Sequence, residues 1–285
     1  MRVPDLLLRS IGFVSEVFGE DISFNSLDPI GTAFLVNVPG RNPDVRFCYA
    51  ITAKHVVEKG TPNAGMVIVV NRRGSGVALL QVGGVFYHPD PLVDVIAMPI
   101  KFDASLDVSM FDADDLFDET NNPENIGPGD EVFFPGLFWP APGSERVIPL
   151  VRHGNLAMLP GQEIQTNNGY EEVYLIEARS IGGVSGSPVF VRETVALPVA
   201  KQDSERMMQG LGRMKLLGLV KGHWDVDESR INQARITHDP KGVNLGIAQV
   251  VPAKRILEIL NLPELVEMRH KLEDEHLSSR GGTND

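Results

Sequence analysis

Three residues of this chain have the types and surroundings that nucleophilic acyl chemistry needs: His55, Asp94 and Ser185. A serine hydroxyl is a poor nucleophile until a base takes its proton. The base must be oriented and its charge compensated, and the developing oxyanion needs donors already aimed at it. Ser185 lies in Gly183-Val184-Ser185-Gly186-Ser187-Pro188. The glycines permit positive-φ backbone, so this turn can point the amides of Gly183 and Ser185 into one small hole. His55 closes the run Tyr49-Ala50-Ile51-Thr52-Ala53-Lys54-His55, where a strand end can present imidazole at a barrel rim. Asp94 sits in Pro91-Leu92-Val93-Asp94-Val95-Ile96-Ala97. A carboxylate in so apolar a stretch is costly to bury unless paired, and a histidine N–H would satisfy it.

Each residue also has a plainer reading. Gly183 to Pro188 can be an ordinary turn between strands, and Asp94 can face water from a sheet edge. The other histidines are His88, His153, His223, His238, His270 and His276, and the rival acid is Asp90, which lies between two prolines. An acidic cluster, Asp103 to Glu119, suggests a calcium loop, but its spacing does not match an EF-hand, and no metal site is expected.

Short strands must position these residues. Thr32 to Val38, Arg46 to Thr52, Met66 to Asn71, Val77 to Val82 and Asp94 to Ile100 are β-branched and aromatic-rich, with Pro, Gly, Asn and Asp clusters between them. No helical periodicity interrupts them, which argues for antiparallel barrels over βαβ units. Strands resume at Glu131 to Phe134, Val147 to Val151 and Val173 to Ala178. They continue at Pro188 to Val191, Lys215 to Lys221 and Leu245 to Val250. Ala200 to Arg213 and Trp224 to Gly242 read as polar loops. Pro252 to Leu260 and Pro263 to Leu277 switch to helical spacing, each opened by a proline. The expected division is an N-terminal segment 1–30, a first barrel with its acidic connector over 31–120, a second barrel over 121–251, and helices with a frayed tail over 252–285. The second helix is expected to pack on the second barrel, with docking on a regulatory partner as the alternative.

Composition narrows the class. At 285 residues with 42% hydrophobic content, the chain can bury a sizeable core. A net charge of -12 repels phosphate backbones, which argues against nucleic acid as a partner. The single cysteine, Cys48, excludes an internal disulfide, and Leu6-Leu7-Leu8 is broken at once by Arg9. No apolar run approaches the roughly 20 residues that span a bilayer. A cytoplasmic location without membrane contact is the expectation.

Over about residues 30–260 the sequence resembles the trypsin-like serine peptidase superfamily, in which the chain order is also His, Asp, Ser. Gly31-Thr32-Ala33-Phe34-Leu35-Val36 resembles the opening strand of bacterial members, and Thr52-Ala53-Lys54-His55-Val56-Val57 their histidine motif. Gly127-Pro128-Gly129-Asp130-Glu131-Val132 is similar to the start of their second barrel. Gly183 to Phe190 is close to the serine motif, with an ending like that of glutamyl endopeptidases. Leu217 to Val220 and Gly246-Ile247-Ala248 resemble the last strands of high-temperature-requirement proteases.

The resemblance implies an all-β, chymotrypsin-like fold: two six-stranded antiparallel barrels with the site between them, followed by helices. It implies His55 as base and then acid, Asp94 as orienter, Ser185 as nucleophile, and an oxyanion hole from the amides of Gly183 and Ser185. Substrate main chain would pair with Val220, Lys221 and Gly222, and no cofactor would be required. Arg179, six residues before Ser185, falls where the resemblance puts the floor of the specificity pocket. There it would favour an acidic substrate residue, unless it turns outward or pairs with Glu177. Val184 stands where animal members carry an aspartate that pairs with a new N-terminus, so that activation route is closed. The expected function is serine endopeptidase on protein or peptide substrates. The alternative is a silent or latent binding module under a partner's control.

Overall fold

The computed structural model describes residues 3–17, 27–58, 60–61, 65–113, 126–166, 169–178, 183–198, 207–227 and 242–281. The first half carries the short helix α1 (Asp5–Leu8) and the strands β1 (Ile11–Val17), β2 (Leu27–Pro39) and β3 (Arg46–Thr52). The one-turn helix α2 (Lys54–Glu58) follows, then β4 (Gly65–Asn71), β5 (Val77–Leu80), β6 (Phe86–Tyr87), β7 (Ile96–Ile100) and β8 (Phe111–Asp112). The second half contains β9 (Glu131–Gly136), β10 (Leu150–Met158), the hairpin β11 (Ile164–Thr166) and β12 (Gly169–Glu171), β13 (Tyr174–Glu177), β14 (Pro188–Pro198), β15 (Met207–Asp227) and β16 (Gly242–Pro252). Helices α3 (Ala253–Leu260) and α4 (Pro263–Gly281) close the described chain.

The chain is all-β with C-terminal helices, in two unlike halves. β9, β10, β13, β16, β15 and β14 close a six-stranded antiparallel barrel, as expected. The first half differs from expectation. It is an eight-stranded sheet ordered β5-β4-β1-β2-β3-β7-β6, with β8 added on β2, and its edges β5 and β6 do not pair with each other. Its strand count rises because the N-terminal segment supplies an inner strand. β1 is buried along its whole length, Ser15 and Glu16 included, and pairs with both β2 and β4, so Ile11 to Val17 belongs to the sheet.

The acidic connector also adds to the sheet. β8 pairs with β2 in parallel, and its Phe111 ring lies 6.3 Å from Phe34 in the first half and 5.1 Å from Phe190 in the second. Phe190 in turn stacks 5.2 Å from Phe133. The aromatic ladder joins the two halves, and one buried cluster runs from β1–β3 through Phe133, Leu137, Phe190 and Leu219. A second cluster fills the closed barrel around Phe134, Tyr174, Ile176 and Val220.

Two other expectations change. The segments read as polar loops are partly strand: β14 and β15 continue as a ladder through Pro198 and Met207, and β15 and β16 pair from Asp227 and Gly242. Helix α4 docks on the first half, not on the closed barrel. Its buried Glu273 accepts hydrogen bonds from the Asn42 amide at 2.6 Å and from Arg41 Nε at 3.0 Å, at the β2–β3 turn. Its buried Arg269 donates to Tyr49 Oη at 3.1 Å and to Leu260 O at 2.8 Å. Among the described residues no helix is long and apolar enough to cross a membrane.

Candidate active site

Register brings His55 and Asp94 together. β3 and β7 are antiparallel neighbours, with Thr52 at the end of β3 opposite Ile96 at the start of β7. His55 lies three residues beyond one and Asp94 two before the other, so both leave the sheet at the same edge. Asp94 is 2% exposed and makes two contacts with one residue. Its Oδ1 accepts the His55 backbone amide at 2.9 Å, and its Oδ2 lies 2.6 Å from Nδ1 of the ring. A carboxylate beside Nδ1 requires the proton there, which leaves Nε2 to act as the base. Burial alone would raise the Asp94 carboxyl. The hydrogen bond and charge of the His55 ring, with the His55 amide and the more distant Lys221 ammonium, offset this and hold it below the usual carboxylate range.

Ser185 reaches the same place from the second half. Ser187 N donates to Val184 O at 2.9 Å, closing a tight turn in which Gly183 has φ +97° and Gly186 φ +84°. At Gly186 a Cβ would lie 2.1 Å from Thr32 O and 2.3 Å from Thr52 Oγ1, so the turn packs backbone-close on β2 and on the end of β3 that leads to His55. Val184 is buried in the closed barrel's core, and packing holds the turn where a polar anchor is absent.

Thr32 fixes the turn to the first half. Its amide donates to Ser185 O at 3.0 Å, and its hydroxyl donates to Gly183 O at 2.9 Å and accepts from Leu137 N at 2.9 Å. Its carbonyl accepts from Thr52 Oγ1 at 2.7 Å. On the other side, Gly186 N donates to Val220 O at 2.8 Å. With their carbonyls so engaged, the Gly183 and Ser185 amides donate to no acceptor among the described residues.

His55 and Ser185 line one cavity with Ile30 and Val56. The Ser185 hydroxyl faces Lys221 O at 3.4 Å and makes no hydrogen bond to the ring. Catalytic contacts are often long in unliganded enzymes, and 3.4 Å is at the weak limit of a hydrogen bond. Lys221 is the extra residue of a β-bulge, since Val220 faces Val250 and Gly222 faces Gln249. The site of a Gly222 Cβ is open space. Arg179 lies outside the described residues. Among the described residues no cluster of His, Cys, Asp and Glu could hold a metal ion.

Of the expected site residues, His55 pairs with Asp94 and shares a cavity with Ser185; Thr32 and Thr52 carry no separate role in the sequence reading. Their signal was a hydroxyl at a buried place in an otherwise apolar strand.

No protein-family model matches the sequence, and none of the curated proteins does. Among solved structures the chain is similar to the apo protease domain of MamO from Magnetospirillum magneticum, at 16% identity over 88% of this chain and 96% of that one, with a TM-score of 0.49. It is similar also to an inactive serine-to-alanine mutant of Rv3671c from M. tuberculosis H37Rv, at 18% identity over 88% of this chain and 85% of that one, with a TM-score of 0.43.

Two predictions follow from this geometry. Thr32→Val keeps the shape but strands Gly183 O and Leu137 N, so it should destabilise the fold by about 1–3 kcal/mol in urea unfolding. A loss within error would show that the hydroxyl does not tie the halves. The depressed Asp94 carboxyl stabilises the fold above its unfolded value of about 3.9, and that contribution disappears as pH falls through the lower folded value. Asp94→Asn should therefore melt with a shallower fall in Tm below about pH 4 than the unaltered protein. Parallel curves would refute the assignment.

Proposed function

We propose that this protein is a serine endopeptidase acting on protein or peptide substrates through His55, Asp94 and Ser185. The supporting observation is the committed Nδ1–Asp94 contact, which leaves Nε2 as the free base of a ring that shares a cavity with Ser185. Ser185 Oγ attacks the substrate carbonyl carbon as Nε2 takes its proton. The oxyanion is met by the amides of Gly183 and Ser185, and the imidazolium returns the proton to the leaving amine. Water then repeats the sequence on the acyl-enzyme. Asp94 keeps the ring in the productive tautomer, and substrate main chain pairs along Lys221 and Gly222; the expected third residue, Val220, is buried with its amide and carbonyl engaged by Ser187 O and Gly186 N. No cofactor or metal is needed for these steps, and a cytoplasmic setting suits a chain with one cysteine.

A second reading is a silent or latent binding module awaiting a partner. It is favoured by the Ser185 hydroxyl facing Lys221 O instead of the ring.

A fluorophosphonate probe separates the two. The first reading expects covalent labelling at Ser185, abolished in Ser185→Ala and slowed on the order of 10⁴-fold in His55→Ala. An unlabelled, folded sample would discard the enzyme. For specificity, Arg179 as an acceptor of acidic substrate residues predicts that Arg179→Asp shifts cleavage from acidic towards basic peptides in a library. An unchanged profile would remove Arg179 from the pocket.

A further inference from the structure

Beside Asp94 lies a buried ion pair that the chemistry above does not use. Lys221 is 9% exposed and Glu171 8%. Nζ of Lys221 contacts Oε2 of Glu171, and the Thr166 hydroxyl contacts the same oxygen. Thr166 Oγ1 also lies 3.0 Å from Gly169 O across the hairpin turn. The hairpin β11–β12 is thus fastened to the bulge of β15 by one buried ammonium.

Burying an ammonium costs several kcal/mol unless its partners are well placed, and an apolar residue of similar size would avoid that cost. A bulge is a device for re-aiming a side chain. Here it sends the Lys221 side chain inward while its carbonyl faces the Ser185 hydroxyl at 3.4 Å. Asp94 and Glu171 line one cavity, so the carboxylate that holds the ammonium lies beside the triad acid.

We infer, on the reading that His55, Asp94 and Ser185 form a catalytic unit, that Lys221 is a positioning residue held by Glu171 and Thr166. It fixes the bulge carbonyl beside the nucleophile, and it sets the net charge that His55 meets behind its carboxylate. The Coulomb influence of Lys221 on Asp94 acts in the same direction. The other charges at this cavity are Asp90 on the loop before Asp94, Glu163 and Glu172 beside the hairpin, and Arg255 on α3. Lys254 pairs with Glu172 at 2.7 Å, and Lys54 donates to Pro91 O. All of these stay in place in the test, as does Tyr170.

The test compares Lys221→Met with Glu171→Gln in the full chain. It reads the pH dependence of fluorophosphonate labelling at Ser185 and, independently of reactivity, the titration of the His55 ring protons by NMR. Removing the cation favours the imidazolium, so the acid limb of Lys221→Met should move up. Removing the anion leaves an uncompensated ammonium, so that of Glu171→Gln should move down. A separation of about 0.5 pH unit or more, with the Met variant higher, is expected. A smaller or reversed separation overturns the inference, since mere loosening of the hairpin would move both variants alike. If Lys221→Met does not fold, Glu171→Gln is compared with the unaltered protein and should lie lower by about half that amount or more; no such displacement overturns the inference. An unreactive Ser185 with separated ring titrations sinks the enzyme reading and leaves the charge coupling. A reactive Ser185 with unseparated titrations sinks the coupling alone.

Discussion

The four hydrogen bonds of Thr32 are the joint on which this structure turns. One residue near the middle of β2 uses its amide, hydroxyl and carbonyl to hold Ser185, Gly183, Leu137 and Thr52. Two of these lie on the serine turn, one follows β9 of the closed barrel, and one sits at the end of the strand that leads to His55. A hydroxyl that both donates and accepts between buried backbone groups is hard to replace, because removing it orphans both partners at once. The site lies between two halves of different construction, so its precision depends on such a joint more than on either sheet alone.

Packing takes over where hydrogen bonding stops. The ladder Phe34, Phe111, Phe190 and Phe133 runs across the same boundary. Phe111 comes from the connector, whose charge suggested exposure. Buried aromatics contribute large area and restrict sliding through their edge and tilt geometry, so they resist the shear that would separate His55 from Ser185. The clasp fixes position locally, and the ladder keeps the halves from drifting around it.

How much of this was legible in the sequence follows from the range of each interaction. His55, Asp94 and Ser185 stood out because an imidazole, a carboxylate and a glycine-flanked hydroxyl are unusual beside apolar strands. Most strands in both halves were visible by period and by their turn residues. Membership of the first sheet was not. Ile11 to Val17 carries the right residues, yet its pairing with β2 and β4 is long-range and leaves no local trace. The docking of α4 was hidden for a similar reason, since Glu273 finds Arg41 and Asn42 across more than 200 positions. Lys221 was legible only as main chain, because nothing local marks Val220 to Gly222 as a bulge or Glu171 as its partner.

The orientation of the Ser185 hydroxyl matters less than the backbone that carries it. A neutral hydrogen bond contributes about 1 kcal/mol net, and one at 3.4 Å less. Turning the side chain from Lys221 O towards the imidazole is therefore a small step that a bound substrate can drive. Reshaping the turn is a large one. Gly183 and Gly186 hold positive φ, Gly186 abuts Thr32 O and Thr52 Oγ1, and Val184 is buried in the barrel core. Moving the Gly183 and Ser185 amides would break the Thr32 bonds and the bond from Gly186 to Val220 together. The Gly183 and Ser185 amides are thus held by contacts worth several times the cost of the rotamer change, while the Ser185 hydroxyl can turn on a fixed backbone.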